Sequence, residues 1–383
     1  MRLLMVSGDR QVVVGEHGPF DVLLREFSRW FERIDVLCPR PERAPSVLRV
    51  HDNVHFHPAD CSRGAQARFV EQRGGELVRE HGHALIVSHD YGRFANGIGS
   101  ARVSRATGVP YVSELHHVPG HPVAADLRER AEHALARLYV RWARSRVRAF
   151  RVVNEVEMPQ LLARWGVPAD KIVVLPSLYL DLEVFRPAPT ALRYDVVFVG
   201  RMVANKGVER IVDALALLAA RGTRLRALFV GKGPRLAAVR ARVARRGLAD
   251  ACEFVEWVDS PARLAELYRA SRVCVCASTC EGGPRFTVEE LACGTPVVST
   301  RVGVMPELLA SGELGALCGF DAQSLAAALA AQLADEPARL ARGVRATQAV
   351  QRFEYARAIQ NYAAGLHALA GERLPAPGPE RPR

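Results

Sequence analysis

Two glutamates eight positions apart, Glu281 and Glu289, are the residues of this sequence that most directly indicate chemistry. They flank a Gly-Gly-Pro turn that follows the apolar run Val273 to Ala277 and precedes a helical stretch from Phe286 to Cys293. A strand, a glycine loop and a helix start in this order leave unpaired backbone N–H groups that can hold an anion without a lysine. Carboxylates accept hydrogen bonds from hydroxyls. The pattern therefore predicts a ligand with a phosphate in its middle and hydroxyls at both ends, as in a nucleotide-sugar.

Two more glycine-containing turns follow apolar strands in the same half of the chain. The first of these turns carries Arg201 and Lys206, between the end of a strand and the start of the helix Val208–Ala220. The second contains Gly231 and Gly233. Arginine binds phosphate through two parallel hydrogen bonds, and lysine binds it as a point charge. A single basic loop would be read as solvated surface. Because three strand ends of one sheet would converge on one anion, we interpret the turns as a diphosphate clamp.

Short apolar strands alternate with longer helical patterns along the sequence, and these elements must position the residues named above. Such an alternation is typical of parallel sheets covered by helices. The predicted strands are Leu3–Val6, Asp35–Leu37, Ala84–Val87, Tyr111–Leu115, Phe150–Val153 and Ile172–Leu175 in the first half and Asp195–Val199, Leu225–Val230, Cys252–Phe254, Val273–Cys276 and Pro296–Ser299 in the second. We expect an α/β fold of two Rossmann-like doubly wound domains that face a cleft, because open parallel sheets bind ligands at the carboxyl ends of their strands.

A length of 383 residues with 49% hydrophobic and 24% charged residues is enough for two such domains. The linker is predicted at the proline-containing segment 183–190, between an N-terminal domain at 1–185 and a C-terminal domain at 190–352. A last amphipathic helix at about 353–369 is expected to pack back on the first domain. Residues 371–383, with four prolines, are expected to be disordered.

Composition narrows the classes of protein. The eight cysteines do not have zinc-site spacing and are expected to be reduced thiols, and no apolar run reaches the roughly 18 residues of a membrane span. We therefore expect a cytoplasmic protein. The net charge of +11 is dispersed and only 7% of the residues are aromatic, which argues against a nucleic-acid-binding protein and against nucleic acid as a partner.

The most basic segment runs from Arg128 to Arg151 and is predicted to be helical. An apolar stripe, Leu135, Leu138, Tyr139 and Trp142, recurs at helical spacing beside a second face that carries Arg137, Arg141, Arg144 and Arg148. We expect the stripe to pack on its own domain. The alternative is a peripheral helix on the inner face of a membrane, in contact with its anionic lipids.

Several of these segments together resemble the donor-binding half of the retaining GT-B glycosyltransferases of family four, the glycosyl transferases of group 1. The resemblance runs from about Val152 to the tail, and its main motifs are Gly200-Arg201 with Lys206-Gly207, Gly231-x-Gly233-Pro234, Glu281-Gly282-Gly283-Pro284 with Glu289, and Cys293 to Val298. In such enzymes the Arg and Lys matching Arg201 and Lys206 bind the donor diphosphate. Glu281 corresponds to the residue that holds the transferred sugar, and Glu289 to the one that holds the ribose hydroxyls.

The resemblance also implies roles for loop residues. Those along the sugar and phosphates are Gly282, Gly283, Pro284, Arg285 and Phe286, and Val258 lies in the turn that contacts the base, where Glu256 replaces a common glycine. A histidine after the fourth core strand usually points at the sugar. We assign His116 to that place, with His117 as its rival on the acceptor side. The family's paired glycines after the first strand are replaced by a longer segment, in which Gly15 and Gly18 are expected to border the acceptor.

The implied activity is transfer of a sugar, with retention of configuration, from a nucleotide-diphosphate sugar to a hydroxyl acceptor in the synthesis of an envelope, lipid-linked or exported glycan. Arg201, Lys206, Glu281 and His116 are the expected catalytic residues. Because fixed cations and helix-start amides can stabilise the leaving diphosphate, no cofactor and no metal is expected. The alternatives are a nucleotide-sugar epimerase and a phosphorylase. A phosphorylase needs a lysine for pyridoxal phosphate, and the chain has only Lys171, Lys206 and Lys232.

Overall fold

The N-terminal half builds an eight-stranded sheet in the structure, a computed structural model that describes residues 1–381. Its strands are β1 (Arg2–Val6), β2 (Arg33–Cys38), β3 (Arg49–Val50), β4 (Val54–Pro58), β5 (Leu85–His89), β6 (Tyr111–Leu115), β7 (Ala149–Val152) and β8 (Ile172–Val174). They lie in the order β3-β4-β2-β1-β5-β6-β7-β8, and only the pairing of β3 with β4 is antiparallel. The chain turns from one direction to the other between β1 and β5, and such a switch point opens a crevice.

The C-terminal half builds a six-stranded, fully parallel sheet. Its strands are β9 (Tyr194–Val199), β10 (Ala227–Val230), β11 (Cys252–Val255), β12 (Ser271–Cys276), β13 (Val297–Thr300) and β14 (Gly315–Cys318), in the order β11-β10-β9-β12-β13-β14. The switch point of this sheet lies between β9 and β12. The two sheets confirm the predicted fold class of two Rossmann-like domains.

Helices cover both sheets. Those of the first half are α1 (Pro19–Phe27), α2 (Gln66–His81), α3 (Ala95–Thr107), α4 (Leu127–Ala143) and α5 (Glu157–Arg164). Those of the second half are α6 (Val208–Ala220), α7 (Leu236–Arg245), α8 (Pro261–Arg269), α9 (Arg285–Ala292), α10 (Met305–Leu309), α11 (Ala322–Ala334), α12 (Glu336–Ala349) and α13 (Tyr355–Leu369). None of the helices in residues 1–381 has the length and apolar character to cross a membrane.

The predicted strands are all present, with ends that differ by at most two residues. The strands that the sequence pattern missed lie at or near sheet edges. β4 alternates Val54 and Phe56 with histidines, β3 has two residues, and β14 begins at a glycine. Edge strands need fewer apolar residues than central ones, so their hydrophobic signal is weak.

The prediction for the basic segment was wrong in two respects. The helix ends at Ala143, and Arg151 belongs to the buried strand β7. Of the predicted apolar stripe only Tyr139 is buried, while Leu135, Leu138 and Trp142 are 39%, 66% and 36% exposed. The face that packs on the domain consists of Ala136, Tyr139, Val140 and Ala143. These four side chains belong to the N-terminal hydrophobic core, whereas the exposed side chains of the predicted stripe lie outside it.

The last helix returns to the first domain. Ile359, Tyr362 and Leu366 of α13 are buried in the N-terminal core, where the rings of Tyr362 and Phe27 lie 4.9 Å apart. Beyond the helix, the described residues up to 381 form no helix or strand, but Gly378 N–H donates to the carbonyl of Arg29 at 2.7 Å. Residues 382 and 383 of the predicted disordered tail lie outside the described part of the chain.

One buried acid has no hydrogen-bond partner. Both carboxyl oxygens of Glu290, in α9, are buried without a partner, and burial raises its pKa well above the ordinary value. Because an acid with a raised folded pKa stays protonated while the unfolded chain ionises, stability must fall as the pH rises above the unfolded value of about 4.5.

We therefore expect Glu290→Leu to stabilise the protein increasingly from pH 5 to pH 8. The gain in free energy of unfolding over the parent should grow by up to about 1.4 kcal/mol per pH unit until the folded pKa is reached. Urea unfolding at four pH values measures it, with the change Glu313→Leu at an exposed position as the matched control. A gain that does not depend on pH would contradict a protonated Glu290.

Candidate active site

Three adjacent strand ends of the C-terminal sheet carry the predicted donor-binding residues. β9 lies between β10 and β12, and the turns after these strands contain Arg201, Gly231 and Glu281. The turns pack closely, since Gly231 has φ +131° and a Cβ there would lie 2.0 Å from the carbonyl oxygen of Gly200. The convergence expected from the sequence is therefore present, and it needs glycine where two turns touch.

Glu281 is held by donors from two of these turns. Its Oε1 accepts a hydrogen bond from Ser278 Oγ at 2.7 Å and pairs with Lys206 Nζ. Both members of the ion pair are mostly buried, with 13% of the Lys206 side chain and 14% of the Glu281 side chain exposed. Both contacts fall on one carboxylate oxygen. The geometry positions Glu281 for hydrogen bonding through its other oxygen and holds Lys206 at the same site.

Glu289 is more deeply buried, inside α9. Its Oε2 accepts from the Tyr268 hydroxyl at 3.0 Å and its Oε1 from Arg285 Nε at 2.8 Å. Burial raises the pKa of Glu289, although Arg285 and Tyr268 act in the opposite direction. Arg285 is itself half-exposed, so a ligand hydroxyl can reach Glu289 Oε1 by displacing the guanidinium.

The turn after β11 lies beside the glycine turn of β10. Lys232 Nζ is 5.3 Å from the ring centre of Trp257, a distance that allows a cation–π contact. The ring of Trp257 is largely exposed, whereas Val258 is partly buried against the C-terminal core. An exposed indole at a strand end is suited to stacking on a planar ligand group.

The first domain touches this donor side directly. A Cβ on Gly282 would lie 2.1 Å from the carbonyl oxygen of His116, and Asn154 Nδ2 donates to the Gly282 carbonyl at 3.3 Å. Glu157 accepts from Gly303 N–H at 2.5 Å, and burial raises the pKa of Glu157 to about 8. The loops after β6 and β7 therefore bring the histidines against the donor turns.

The two histidines face different charges. His116 Nε2 lies 3.9 Å from Glu114 Oε2, and burial lowers the pKa of His116 against the opposing effect of Glu114. The pKa of His117 is also lowered, mainly by burial. Glu281 and, less strongly, Glu132 raise this pKa, while Lys206 and Arg201 lower it. His117 is thus coupled to the donor side and His116 to the N-terminal carboxylate.

A cavity of about 490 Å³ opens at the switch point of the first sheet. It is lined by residues at the ends of β1, β5 and β6 and by Arg285 from the second domain; those with polar side chains include Ser7, Asp9, His89, His116, His117 and Tyr179. From the long segment after β1, Gly8, Asp9, Pro19 and Phe20 contribute to the lining. Gly15 and Gly18 do not; Gly15 ends a short 3₁₀ helix and Gly18 precedes α1.

Sequence reasoning missed the charged floor of this cavity. Arg151 donates to Glu114 Oε1 at 2.9 Å and to the carbonyls of Leu175 and Pro176, and the Tyr362 hydroxyl donates to the same carboxylate oxygen. Glu114 and Arg151 are almost fully buried, and the Arg151 charge helps to hold the pKa of Glu114 well below its ordinary value despite burial. The sequence signal that could have revealed this pair is one charged residue in each of two predicted strands, Glu114 in β6 and Arg151 in β7.

Metal ligands are not grouped in the described part of the chain, since no three His, Cys, Asp or Glu side chains there are arranged to hold a metal ion. All eight cysteines lie within that part, and all are free.

Comparison with known proteins identifies the family. Residues 21–177 match the family described as Glycosyl transferase 4-like domain, and residues 193–335 match Glycosyl transferases group 1. The chain is 30% identical over 303 residues to the D-inositol 3-phosphate glycosyltransferase of Kribbella flavida, an alignment that covers 73% of this chain and 70% of that protein. The chain therefore belongs to the glycosyl transferases of group 1.

Other curated relatives match over a smaller share of their length. The D-inositol 3-phosphate glycosyltransferase of Gordonia bronchialis is 34% identical over 249 residues, which are 55% of this chain and 52% of that protein. The protein of the same name from Acidothermus cellulolyticus is 32% identical over 279 residues, 66% of this chain and 60% of that protein. The chain thus aligns with only about half to 60% of the length of these two relatives.

Solved structures share the fold along nearly the whole chain. Sucrose-phosphate synthase from Thermosynechococcus elongatus has a TM-score of 0.76 at 22% identity and covers 96% of this chain and 98% of its own. Anabaena HepE in complex with UDP and glucose has a TM-score of 0.74 at 20% identity and covers 96% and 100%. At these identities the likeness establishes the GT-B fold alone.

We expect Glu114→Gln to destabilise the protein strongly, because it leaves Arg151 buried without a carboxylate. Loss of one partner of a buried pair costs about 3–5 kcal/mol. Thermal unfolding measures the effect. The change Glu32→Gln, which breaks the exposed pair with Arg2, is the matched control and should leave the midpoint unchanged. Equal midpoints for Glu114→Gln and the parent would show that the buried pair does not stabilise the fold.

Proposed function

We propose that this protein transfers a sugar from a nucleotide-diphosphate sugar to a hydroxyl acceptor. The observation that carries the proposal is the meeting of Arg201 and Lys206, after β9, with Glu281 and Glu289, after the neighbouring strand β12, against the loop of His116 and His117. The site therefore combines cations that can bind a diphosphate with carboxylates that can accept hydrogen bonds from hydroxyls. Family membership supports the same class of reaction.

The donor is proposed to lie with its transferred sugar at Glu281 and its ribose at Glu289. Arg201 is exposed and has no ion-pair partner in residues 1–381, so its guanidinium is available for a phosphate. Trp257 and Val258 are the residues proposed to contact the base. HepE, which shares this fold, binds UDP and glucose, and a uridine donor is therefore the first to test.

The reaction is proposed to proceed with retention of configuration and without a metal. The diphosphate gains negative charge as the sugar–oxygen bond breaks, and Arg201, Lys206 and the N–H groups at the start of α9 stabilise that charge. The acceptor hydroxyl attacks from the leaving-group face, and an oxygen of the β-phosphate takes its proton. Glu281 is not assigned as a covalent nucleophile; its proposed role is to accept hydrogen bonds from the sugar hydroxyls through Oε2, since Lys206 and Ser278 bind its Oε1.

The acceptor is proposed to enter the 490 Å³ cavity of the first domain, where His116 and His117 stand next to the donor turns. The names of the curated relatives make D-inositol 3-phosphate the first acceptor to test. An envelope, lipid-linked or exported glycan stays the broader class that we propose, with the reaction on the cytoplasmic side.

Product analysis tests the reaction class. The purified protein is incubated with UDP-glucose, GDP-mannose or ADP-glucose, each with and without D-inositol 3-phosphate or an extract of lipid-linked glycans. Release of the nucleoside diphosphate only when an acceptor is present is the expected result. An isomerised nucleotide-sugar formed without acceptor would instead establish an epimerase and overturn the proposal.

We expect the two glutamates to have separable effects on binding. Glu289→Ala should weaken the nucleoside diphosphate and the full donor equally, whereas Glu281→Ala should weaken chiefly the full donor, each by about 1.5–3 kcal/mol for a lost charged hydrogen bond. Titration calorimetry with both ligands measures this. Arg285→Ala is a useful companion, because it frees Glu289 Oε1 without removing the carboxylate. Equal losses for both ligands in both glutamate variants would show that the division of roles is wrong.

A further inference from the structure

Helix α4 has a second apolar face that points away from the domain. It consists of Leu127, Leu135, Leu138 and Trp142, which recur at helical spacing and which we call the α4 ridge. Leu127 and Leu138 are 78% and 66% exposed. Five of the twelve exposed large hydrophobic residues of the described chain lie in residues 123–142, since Val123 precedes the helix. Such a concentration of exposed apolar side chains marks an interaction surface.

A basic cavity adjoins this ridge. It has a volume of about 520 Å³ and is lined by Arg130, His133 and Arg137 of α4 and by His121, Arg164 and Trp165 among others; we call it the arginine bowl. No acidic residue is among those that line it, and within residues 1–381 its three arginines have no ion-pair partner. Burial and the nearby cations lower the pKa of His121 to about 4 and also lower that of His133. The bowl is therefore a region of uncompensated positive charge.

The ridge and the bowl lie side by side on one helix. Arg130 and Arg137 are seven residues apart and line the bowl, while Leu127, Leu135 and Leu138 lie on the adjoining face. A ligand that complements both must present anionic groups next to an apolar region. A second copy of this chain packed ridge against ridge would cover the leucines but would leave the arginine bowl without an anionic partner.

We propose that the α4 ridge and the arginine bowl dock this protein on the surface of a bilayer that contains anionic phospholipids. The leucines and Trp142 enter the boundary between headgroups and acyl chains, where an indole is well accommodated, and the bowl arginines bind lipid phosphates. The alternative interpretation from the sequence, a peripheral helix, thus gains its support from the observed exposure of the ridge. It does not depend on the proposed sugar transfer.

The docking surface is connected to the cleft. The loop between β6 and α4 contacts the donor turns, since Val118 O accepts from Cys280 Sγ at 3.1 Å and Val123 N–H donates to Thr279 O at 3.3 Å. A bilayer against α4 would therefore lie beside the junction of the two domains.

Vesicle flotation tests the proposal on the full chain. The protein is mixed with vesicles of phosphatidylcholine alone or with 30% phosphatidylglycerol, and binding is measured in low and in high salt. We expect binding to the anionic vesicles only. The double change Leu135→Ser with Leu138→Ser should reduce it by about tenfold or more. The double change Arg130→Gln with Arg137→Gln should reduce binding to the anionic vesicles by about fivefold per arginine. High salt should likewise reduce the binding of the parent protein.

Matched controls lie on the other domain. Leu340→Ser with Val344→Ser removes exposed apolar residues of α12, and Arg221→Gln with Arg245→Gln removes exposed cations; both should bind as the parent does. Thermal unfolding checks that each variant is folded. The proposal is overturned by absence of binding to anionic vesicles, by equal binding to neutral ones, or by equal losses in the controls. Ridge-dependent self-association in sedimentation velocity without vesicle binding would also overturn it, in favour of a second copy.

Discussion

The buried pair of Glu114 and Arg151 is the interaction on which the architecture of the cleft depends. It joins β6 to β7, and through the carbonyls of Leu175 and Pro176 it also holds the chain after β8. Tyr362 donates to the same carboxylate and stacks under the guanidinium, whose carbon lies 3.8 Å from the ring centre. Neither charge is tolerated alone in the interior. Because Tyr362 lies on α13, the cavity floor is complete only when this last helix returns to the first domain.

This constraint explains why the N-terminal half can present histidines to the other domain. The loop after β6 begins at His116, so its direction is set by a strand whose carboxylate is fixed through Oε1 by Arg151 and Tyr362. The backbone then approaches Gly282 so closely that no side chain fits there. Polar groups of both domains therefore meet at this contact, including the Asn154 side chain and the Gly282 carbonyl.

On the donor side, cations of the protein occupy the carboxylates that are predicted to bind the ligand. Lys206 binds Glu281 and Arg285 binds Glu289, so each predicted ligand-binding glutamate is paired with a cation of the protein itself. Each pair gives a mostly buried carboxylate a hydrogen-bonded partner inside the protein. A donor that binds here would break these ion pairs. Its phosphates would then bind the cations, and its hydroxyls would donate hydrogen bonds to the carboxylates. The three arginines that line the arginine bowl have no such partners among the described residues, and this difference separates the cleft from the outer basic surface.

Local pattern was sufficient for part of this protein. Central parallel strands are apolar along their whole length and helices are periodic, so the two-sheet fold and the order of the turns that carry Arg201, Glu281 and Glu289 could be predicted from the sequence, whereas the donor-binding roles of these residues stay a prediction. Pairing over long sequence distances could not. Tyr362 meets Glu114 across 248 positions, and no local pattern marks such a contact. The sequence also contains two apolar stripes on α4. Only tertiary packing decided that Ala136, Tyr139, Val140 and Ala143 are buried while Leu138 and Trp142 remain in solvent, because helical periodicity gives both stripes and does not say which one meets the close-packed core.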